Sequence, residues 1–236
     1  MLIKRWHELM DELAGVDVKL LAVSKYAPDE AVQILIDAGQ VDFGESRPQQ
    51  LRDRAERWPQ CAWHMIGPVQ KNKAKYIGRH ASLWHSCDDL QTAQAVARHV
   101  GLWHGAAYRL PVLIQVNIDD VPHQRGIRAI DLPVFAAELS KIEGLQLAGL
   151  MCMAGRGGDA KSAFRAMRAL RDDFRNGLRD GLQGEALNGS LADVGAWDLC
   201  MGMSGDYQQA VIAGSSMVRL GSTLFADWDV RHSAES

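Results

Sequence analysis

A lysine that closes one apolar run and an arginine set inside another are the residues of this chain best suited to chemistry. Lys25 ends VKLLAVSK (18–25). Strand alternation puts it on the face of Leu21 and Val23. If that face is interior, desolvation disfavours the ammonium and gives the neutral amine that attacks carbonyls. A strand-end lysine snorkelling to water is the plain alternative. Arg219 lies in MVRLGS (217–222). A buried, unpaired guanidinium costs several kcal/mol, so something must face it. Two bends of small residues, GMSGD (202–206) and RLGS (219–222), carry Met203, Ser204, Gly205, Gly221 and Ser222. Small residues let backbone N–H groups approach an anion, and a helix beginning near Asp206 adds its positive terminus. Here the plain alternative is a pair of tight turns with capping serines.

For these groups to meet, the chain must bring its two ends together. Eight short apolar runs do this: VKLLAVSK (18–25), VDFGES (41–46), CAWHMIG (61–67), LWHSCD (83–88), LPVLIQVNI (110–118), LQLAGLMCM (145–153), WDLCMGMS (197–204) and SMVRLGS (216–222). Helical patterns alternate with them at 29–39, 48–58, 88–100, 132–142, 160–178 and 205–214, with a shorter basic segment, QKNKAKYIG, at 70–78. Parallel strands need such crossovers, and eight units predict a (β/α)8 TIM barrel. An open doubly wound sheet would show a Gly-rich dinucleotide turn after its first strand, and AVSKYAP is not one. An additional N-terminal helix precedes the barrel, with Ile3, Trp6, Met10 and Leu13 on one face. The chain is expected to be a single domain, 1–236, without a C-terminal β-domain.

Active sites of parallel barrels form where the strands end. Those ends carry Lys25, Glu45–Ser46–Arg47, His64, Ser86, Asn117, Met203–Ser204–Gly205 and Arg219–Gly221–Ser222. His64 reads equally as a ring contact or mouth lid and as a core histidine, and Ser86 as a ligand contact or a turn serine. A ligand with an aldehyde for Lys25 and a phosphate for the two bends satisfies both halves of this mouth, and pyridoxal 5′-phosphate (PLP) is such a ligand. Arg219, two residues before Gly221 on the same face, would then sit deeper, at the pyridine ring. Arginine only donates, so it favours an unprotonated ring nitrogen, which makes the ring a poor electron sink.

Composition narrows the alternatives. The net charge of −3 and scattered basic residues point to no nucleic-acid or membrane partner. There is no continuous apolar span and no signal-like start, so a cytoplasmic protein is expected. Cys61, Cys87, Cys152 and Cys200 have no CxxC spacing and read as reduced, buried thiols, with no metal site. Trp63, Trp84, Trp103 and Trp197 read as packing between barrel and helices.

At LLAVSK, DFGES, HMIGPVQKNK, HSCD, VLIQVNI, LAGLMCM and MGMSGDYQQAVIAGSSMVRLGSTLF the sequence resembles the pyridoxal-phosphate homeostasis proteins (the YggS/PROSC family), whose barrel is like the N-terminal barrel of alanine racemase. The resemblance implies that Lys25 forms the internal aldimine, that Ser204, Gly205, Gly221 and Ser222 hold the phosphate, and that Arg219 faces the pyridine nitrogen. It implies a carrier or regulator of the cofactor pool without established turnover, with PLP-dependent apo-enzymes as candidate recipients, and a monomer or weak dimer. The sequence departs from the family where Ser46 replaces an asparagine, where Gln124 replaces a lysine, and where RLGS replaces RIGT. An amino-acid racemase is the alternative; it needs a second base, and neither Tyr26 nor Tyr207 is an obvious one. A Schiff-base aldolase without PLP is the other rival.

Overall fold

The computed structural model describes residues 1–155, 157–179 and 198–226. Strands β1 (Lys19–Val23), β2 (Asp42–Glu45), β3 (Ala62–Met65), β4 (Leu83–Cys87), β5 (Leu110–Asn117), β7 (Leu145–Cys152), β8 (Asp198–Met203) and β9 (Met217–Leu220) pair in parallel. The β4–β5 pairing closes them into an eight-stranded barrel, and a two-residue strand, β6 (Ile127–Arg128), adds to the outer end of β5. All eight apolar runs are therefore barrel strands. The stub β6 was not foreseen, being too short for any periodicity to show.

The crossovers are α2 (Asp29–Asp37), α3 (Pro48–Arg57), α4 (Ala74–His80), α5 (Leu90–His104), α6 (Leu132–Ser140), α7 (Ala160–Arg179) and α8 (Tyr207–Ile212). Local chemistry starts several of them. Pro48 opens α3, where its missing N–H is harmless. Asp89 caps α5, accepting from the Thr92 N–H at 2.8 Å and the Thr92 hydroxyl at 2.6 Å. The basic stretch 70–78 forms a 3-10 turn, Lys71–Lys73, and then α4. Among the described residues, no helix is long and apolar enough to cross a membrane.

Alternation along the strands sorts the apolar residues into two layers. Leu21, Leu83, Leu113, Met151, Cys200 and Met217 fill the barrel interior. Leu20, Ala22, Phe43, Trp63, Trp84 and Val218 face the helices, in the larger outer layer. There Phe43 stacks on Trp63 with ring centres 5.0 Å apart, and Trp58 on Trp63 at 6.1 Å. Trp103 departs from the packing role expected of it. It is 54% exposed and lies under the Arg79 guanidinium, 4.0 Å from its ring centre. Trp197 lies outside the described residues.

The N-terminal helix, α1 (Leu2–Ala14), buries Leu2, Trp6, Leu9 and Leu13. That face is turned from the one expected, leaving Ile3 and Met10 exposed. Trp6 explains the turn. Its indole N–H donates to Gln40 Oε1 at 2.8 Å, and Gln40 Nε2 donates to the carbonyl of Leu20 on β1 at 3.0 Å. A polar tether thus decides between two nearly equal apolar stripes. None of the four cysteines is in a disulfide; Cys87, Cys152 and Cys200 are buried and Cys61 half-buried.

Trp63 is the largest side chain joining barrel to helices, so Trp63→Ala is expected to cost about 3–5 kcal/mol. Urea unfolding followed by circular dichroism checks this; a loss well below that range would show the stack to be replaceable.

Candidate functional site

The seam that closes the barrel brings the chain's two ends to one mouth. β1 and β9 run in parallel with Leu21 opposite Arg219 and Ala22 opposite Leu220. Gly221 continues β9 and lies tight against β1. A Cβ there would sit 3.2 Å from the carbonyl oxygen of Val23 and 3.3 Å from its Cβ, so a side chain would push the bend away. Lys25 follows two residues after Val23 and is half-buried. Its carbonyl accepts from Gln50 Nε2 at 3.3 Å, and its amine lies over the exposed ring of Tyr26.

The bends after β8 and β9 are tied to each other. Ser204 Oγ accepts from the backbone N–H of Thr223 at 3.1 Å and, more loosely, of Gly221 at 3.4 Å. Thr223 donates its hydroxyl to the Ser204 carbonyl at 3.3 Å. Asp206 holds the Met203 N–H at 2.6 Å. Nothing stands within 4 Å of where a Gly205 side chain would begin, so that backbone is open to an incoming group. Met203 and Ser222 sit at the same rim, both exposed.

Below the rim lies Arg219, 5% exposed. One terminal nitrogen donates to the carbonyl of Cys152 at 2.8 Å, while its Nε is buried without a partner. This answers only part of the question raised by a guanidinium in a barrel strand. One donor is satisfied by β7, and another is held out of water unmet, a costly state for a buried polar atom.

Two candidate site residues, His64 and Ser86, are engaged within the protein, each in line with the plainer of its two readings. His64 is no lid. It is buried below the rim, with Nδ1 2.9 Å from His85 Nε2 and Nε2 3.1 Å from Asp42. Ser86 is a structural serine. It donates to the Gly67 carbonyl at 2.5 Å and accepts from the Trp84 indole at 2.9 Å, which uses its only donor. Ser46 is half-buried, and its backbone fits only because residue 67 is glycine: a Cβ there would lie 2.2 Å from the Ser46 carbonyl oxygen. Gln124 donates to the Met153 carbonyl at 2.9 Å, joining the loops after β5 and β7. Asn117 instead folds back on its own loop, binding Val121 and Gln124.

Glu45 is fully buried, which is not legible from residue types alone, because strand alternation carries no label for which polar end is covered. Its Oε1 accepts from the Ser24 hydroxyl at 2.6 Å and lies 3.4 Å from Arg54 Nε. Arg54 also donates to the Ala27 carbonyl at 2.6 Å. Glu45 and Arg54 thereby pin the loop that presents Lys25. Burial pushes the Glu45 carboxyl up to about 7, against the opposing pull of the Ser24 hydrogen bond and the charges of Arg54, Arg47 and Lys25.

Comparison with known proteins fits this arrangement. Residues 2–228 match the family described as alanine racemase, N-terminal domain. The pyridoxal phosphate homeostasis protein of Deinococcus radiodurans is 35% identical over 90% of this chain and 91% of its own length. This chain belongs to the pyridoxal phosphate homeostasis protein family. The Escherichia coli K12 member is 32% identical over 90% of this chain and 87% of its own. PipY of Synechococcus elongatus, solved with PLP bound, superposes with a TM-score of 0.78 at 28% identity, covering 95% of this chain and all of that one. Here Gln124 makes a neutral bridge between loops.

The raised carboxyl of Glu45 has a pH consequence. Its folded pKa lies above its ordinary 4.5, so the folded chain holds the proton more tightly than the unfolded one. The benefit is complete below about pH 4.5 and disappears as pH rises through about 7. Stability should fall by about 3 kcal/mol across that window from this group alone. Glu45→Gln, still an acceptor for Ser24, should flatten the slope in denaturant titrations over that window; an unchanged slope would place the charge elsewhere.

Proposed function

We propose that this chain binds pyridoxal 5′-phosphate at the C-terminal mouth of its barrel and acts in vitamin B6 homeostasis, holding the cofactor for transfer to PLP-dependent apo-enzymes. The observation that carries this is the seam between β1 and β9. It places Lys25 and the Gly221 bend at one mouth, over an Arg219 Nε that is buried and unpartnered. Each feature suits a part of the ligand. The unmet N–H suits a pyridine nitrogen, and the open backbone at Gly205, with Ser204, Gly221 and Ser222, suits a phosphate. PipY, solved with PLP, supports the same assignment.

Bound PLP supplies an electrophilic aldehyde conjugated to an electron-withdrawing ring. The residues of this chain then act as follows. Lys25 would hold the aldehyde end of the cofactor, presenting its amine there. Ser204, Gly205, Gly221 and Ser222 hold the phosphate through hydroxyls and backbone N–H groups. Arg219 donates to the ring nitrogen and, being always protonated, opposes protonation there. Met203 and Ser46 line the rim. Ser86 ties the wall to the Gly67 carbonyl, and His64 stands in the barrel interior below the rim.

Holding, rather than turnover, follows from the same residues. An unprotonated ring withdraws electrons weakly. A racemase also needs a second base. Tyr26 is the tyrosine beside the Lys25 amine, and its ring is exposed to solvent. The other three are engaged elsewhere: Tyr207 donates to Glu12 on α1 at 3.0 Å, Tyr76 lies against Arg52 and Lys75, and Tyr108 packs at a tilt against His104.

With PLP added, the protein should show the visible band of a protonated imine, and borohydride should fix the cofactor to the peptide carrying Lys25. Lys25→Ala should keep its circular dichroism and lose the adduct. A folded mutant that still traps PLP at the same yield would remove Lys25 from the role, and the absence of any band in the unaltered protein would favour an aldolase. Arg219→Glu, if circular dichroism shows it folded, should raise α-deuterium exchange into amino acids in D2O. Rapid exchange by the unaltered protein would make it an enzyme.

A further inference from the structure

Three polar side chains strung across the barrel interior take no direct part in the contacts proposed above. Asp42 stands at the base, where β2 begins, with its side chain 34% exposed. It meets Nε2 of His64 on β3 at 3.1 Å. His64 Nδ1 lies 2.9 Å from Nε2 of His85 on β4. His85 is fully buried, and its Nδ1 has no partner. Arg219 is near enough for its charge to disfavour protonation of His85, and its own Nε is the other unmatched atom of the barrel interior.

The outer end of this chain fixes its direction. Burial opposes the charge of Asp42, but the contact with His64, with Lys19 beside it, outweighs burial and holds the carboxyl below its ordinary value. An ionised carboxylate only accepts, so His64 Nε2 carries the hydrogen. A neutral His64 then has a bare Nδ1, which accepts from His85 Nε2–H. His85 is left with a bare Nδ1. Burial, His64 and Arg219 together push His85 well below the ordinary histidine value, so it stays uncharged. The floor of the mouth therefore holds one buried acceptor, His85 Nδ1, and one buried donor, Arg219 Nε–H. The protein itself satisfies neither.

We infer that Asp42 and His64 are positioning residues that lock His85 as a hydrogen-bond acceptor beside Arg219, so that the floor selects occupants presenting both an acceptor and a donor. Only the identity of the occupant rests on the PLP assignment; the tautomer is a property of the ligand-free protein. A ring nitrogen answers Arg219, and a hydroxyl or an ordered water answers His85. Reversing the chain would place a second N–H beside the guanidinium and leave nothing to receive a donor. The charged groups acting on the pair are Asp42 and Lys19 at the base and Arg219 at the floor.

Long-range 1H–15N NMR spectra of the ligand-free, 15N-labelled full chain at neutral pH test this, with His85 assigned through H85Q. Both His64 and His85 should appear as neutral Nε2–H tautomers. Asp42→Asn can donate to His64 Nε2 and should turn both rings to Nδ1–H. It should also weaken PLP retention roughly fivefold to tenfold, the scale of one lost hydrogen bond, while Lys25→Ala leaves the tautomers unchanged. An Nδ1–H or charged His85 in the unaltered protein overturns the inference, as does a folded Asp42→Asn with unchanged tautomers. If that variant fails to fold, the wild-type spectrum still decides. The expected tautomers in a protein that does not bind PLP would sink the cofactor assignment and leave this one standing.

Discussion

A guanidinium held inside a parallel barrel is the constraint on which the rest of this structure turns. Arg219 is almost out of reach of solvent, and its charge cannot be removed by shifting a pKa, as that of a lysine or carboxylic acid could. The fold meets part of its need with the Cys152 carbonyl and leaves Nε unmet. A protein that carried this arrangement for stability alone would gain from a hydrophobic residue of similar volume, since buried charges are on balance a poor source of stability. An unmet donor aimed into a mouth is better understood as a cost borne for a ligand.

The barrel is what makes that cost tolerable. Lys25 and Arg219 are far apart in sequence yet lie on neighbouring strands, because closing the barrel sets the first strand beside the last. Gly221 then acts as a spacer of zero thickness against Val23. Behind the seam, Glu45 and Arg54 clamp the loop after β1 from the helix side, while the Ser204–Thr223 bonds tie the loops after β8 and β9. The two halves of the mouth are thus fixed by different layers, one by buried charge and the other by backbone bonds.

How much of this was legible in the sequence follows from what periodicity can encode. Alternating apolar runs marked every barrel strand, because burial on both faces leaves an unmistakable composition. The convergence of Lys25 with Ser204 and Gly221 was legible too, since a closed parallel barrel admits one arrangement of its ends. What stayed hidden were interactions between polar residues on non-adjacent segments. His64 reads from sequence as a rim residue, and only its distances to Asp42 and His85 reveal an interior chain. Ser86 has the residue type of a ligand contact but spends its hydroxyl on Gly67. The facing of α1 turned on one indole hydrogen bond to Gln40, a choice between stripes that differ by a single position.

The interior polar chain also bears on the proposal that the cofactor is held rather than turned over. Catalysis on a pyridine ring gains from a partner that supports positive charge on the ring nitrogen, and every group here works the other way. Arg219 is a permanent cation. His85 is kept neutral by burial and by that cation, so it adds no acid to the floor. The carboxylate of that polar chain, Asp42, stands beyond two imidazoles, with its charge already engaged by His64. Glu45 carries a carboxyl that changes charge near neutral pH, but it is directed at Ser24 and Arg54 on the helix side of the wall. Moving a carboxylate to the floor would require an acidic side chain at position 219 itself, and the same substitution would remove the donor that completes the site. Binding strength and electron withdrawal are therefore opposed at a single residue, and this sequence settles the conflict in favour of binding.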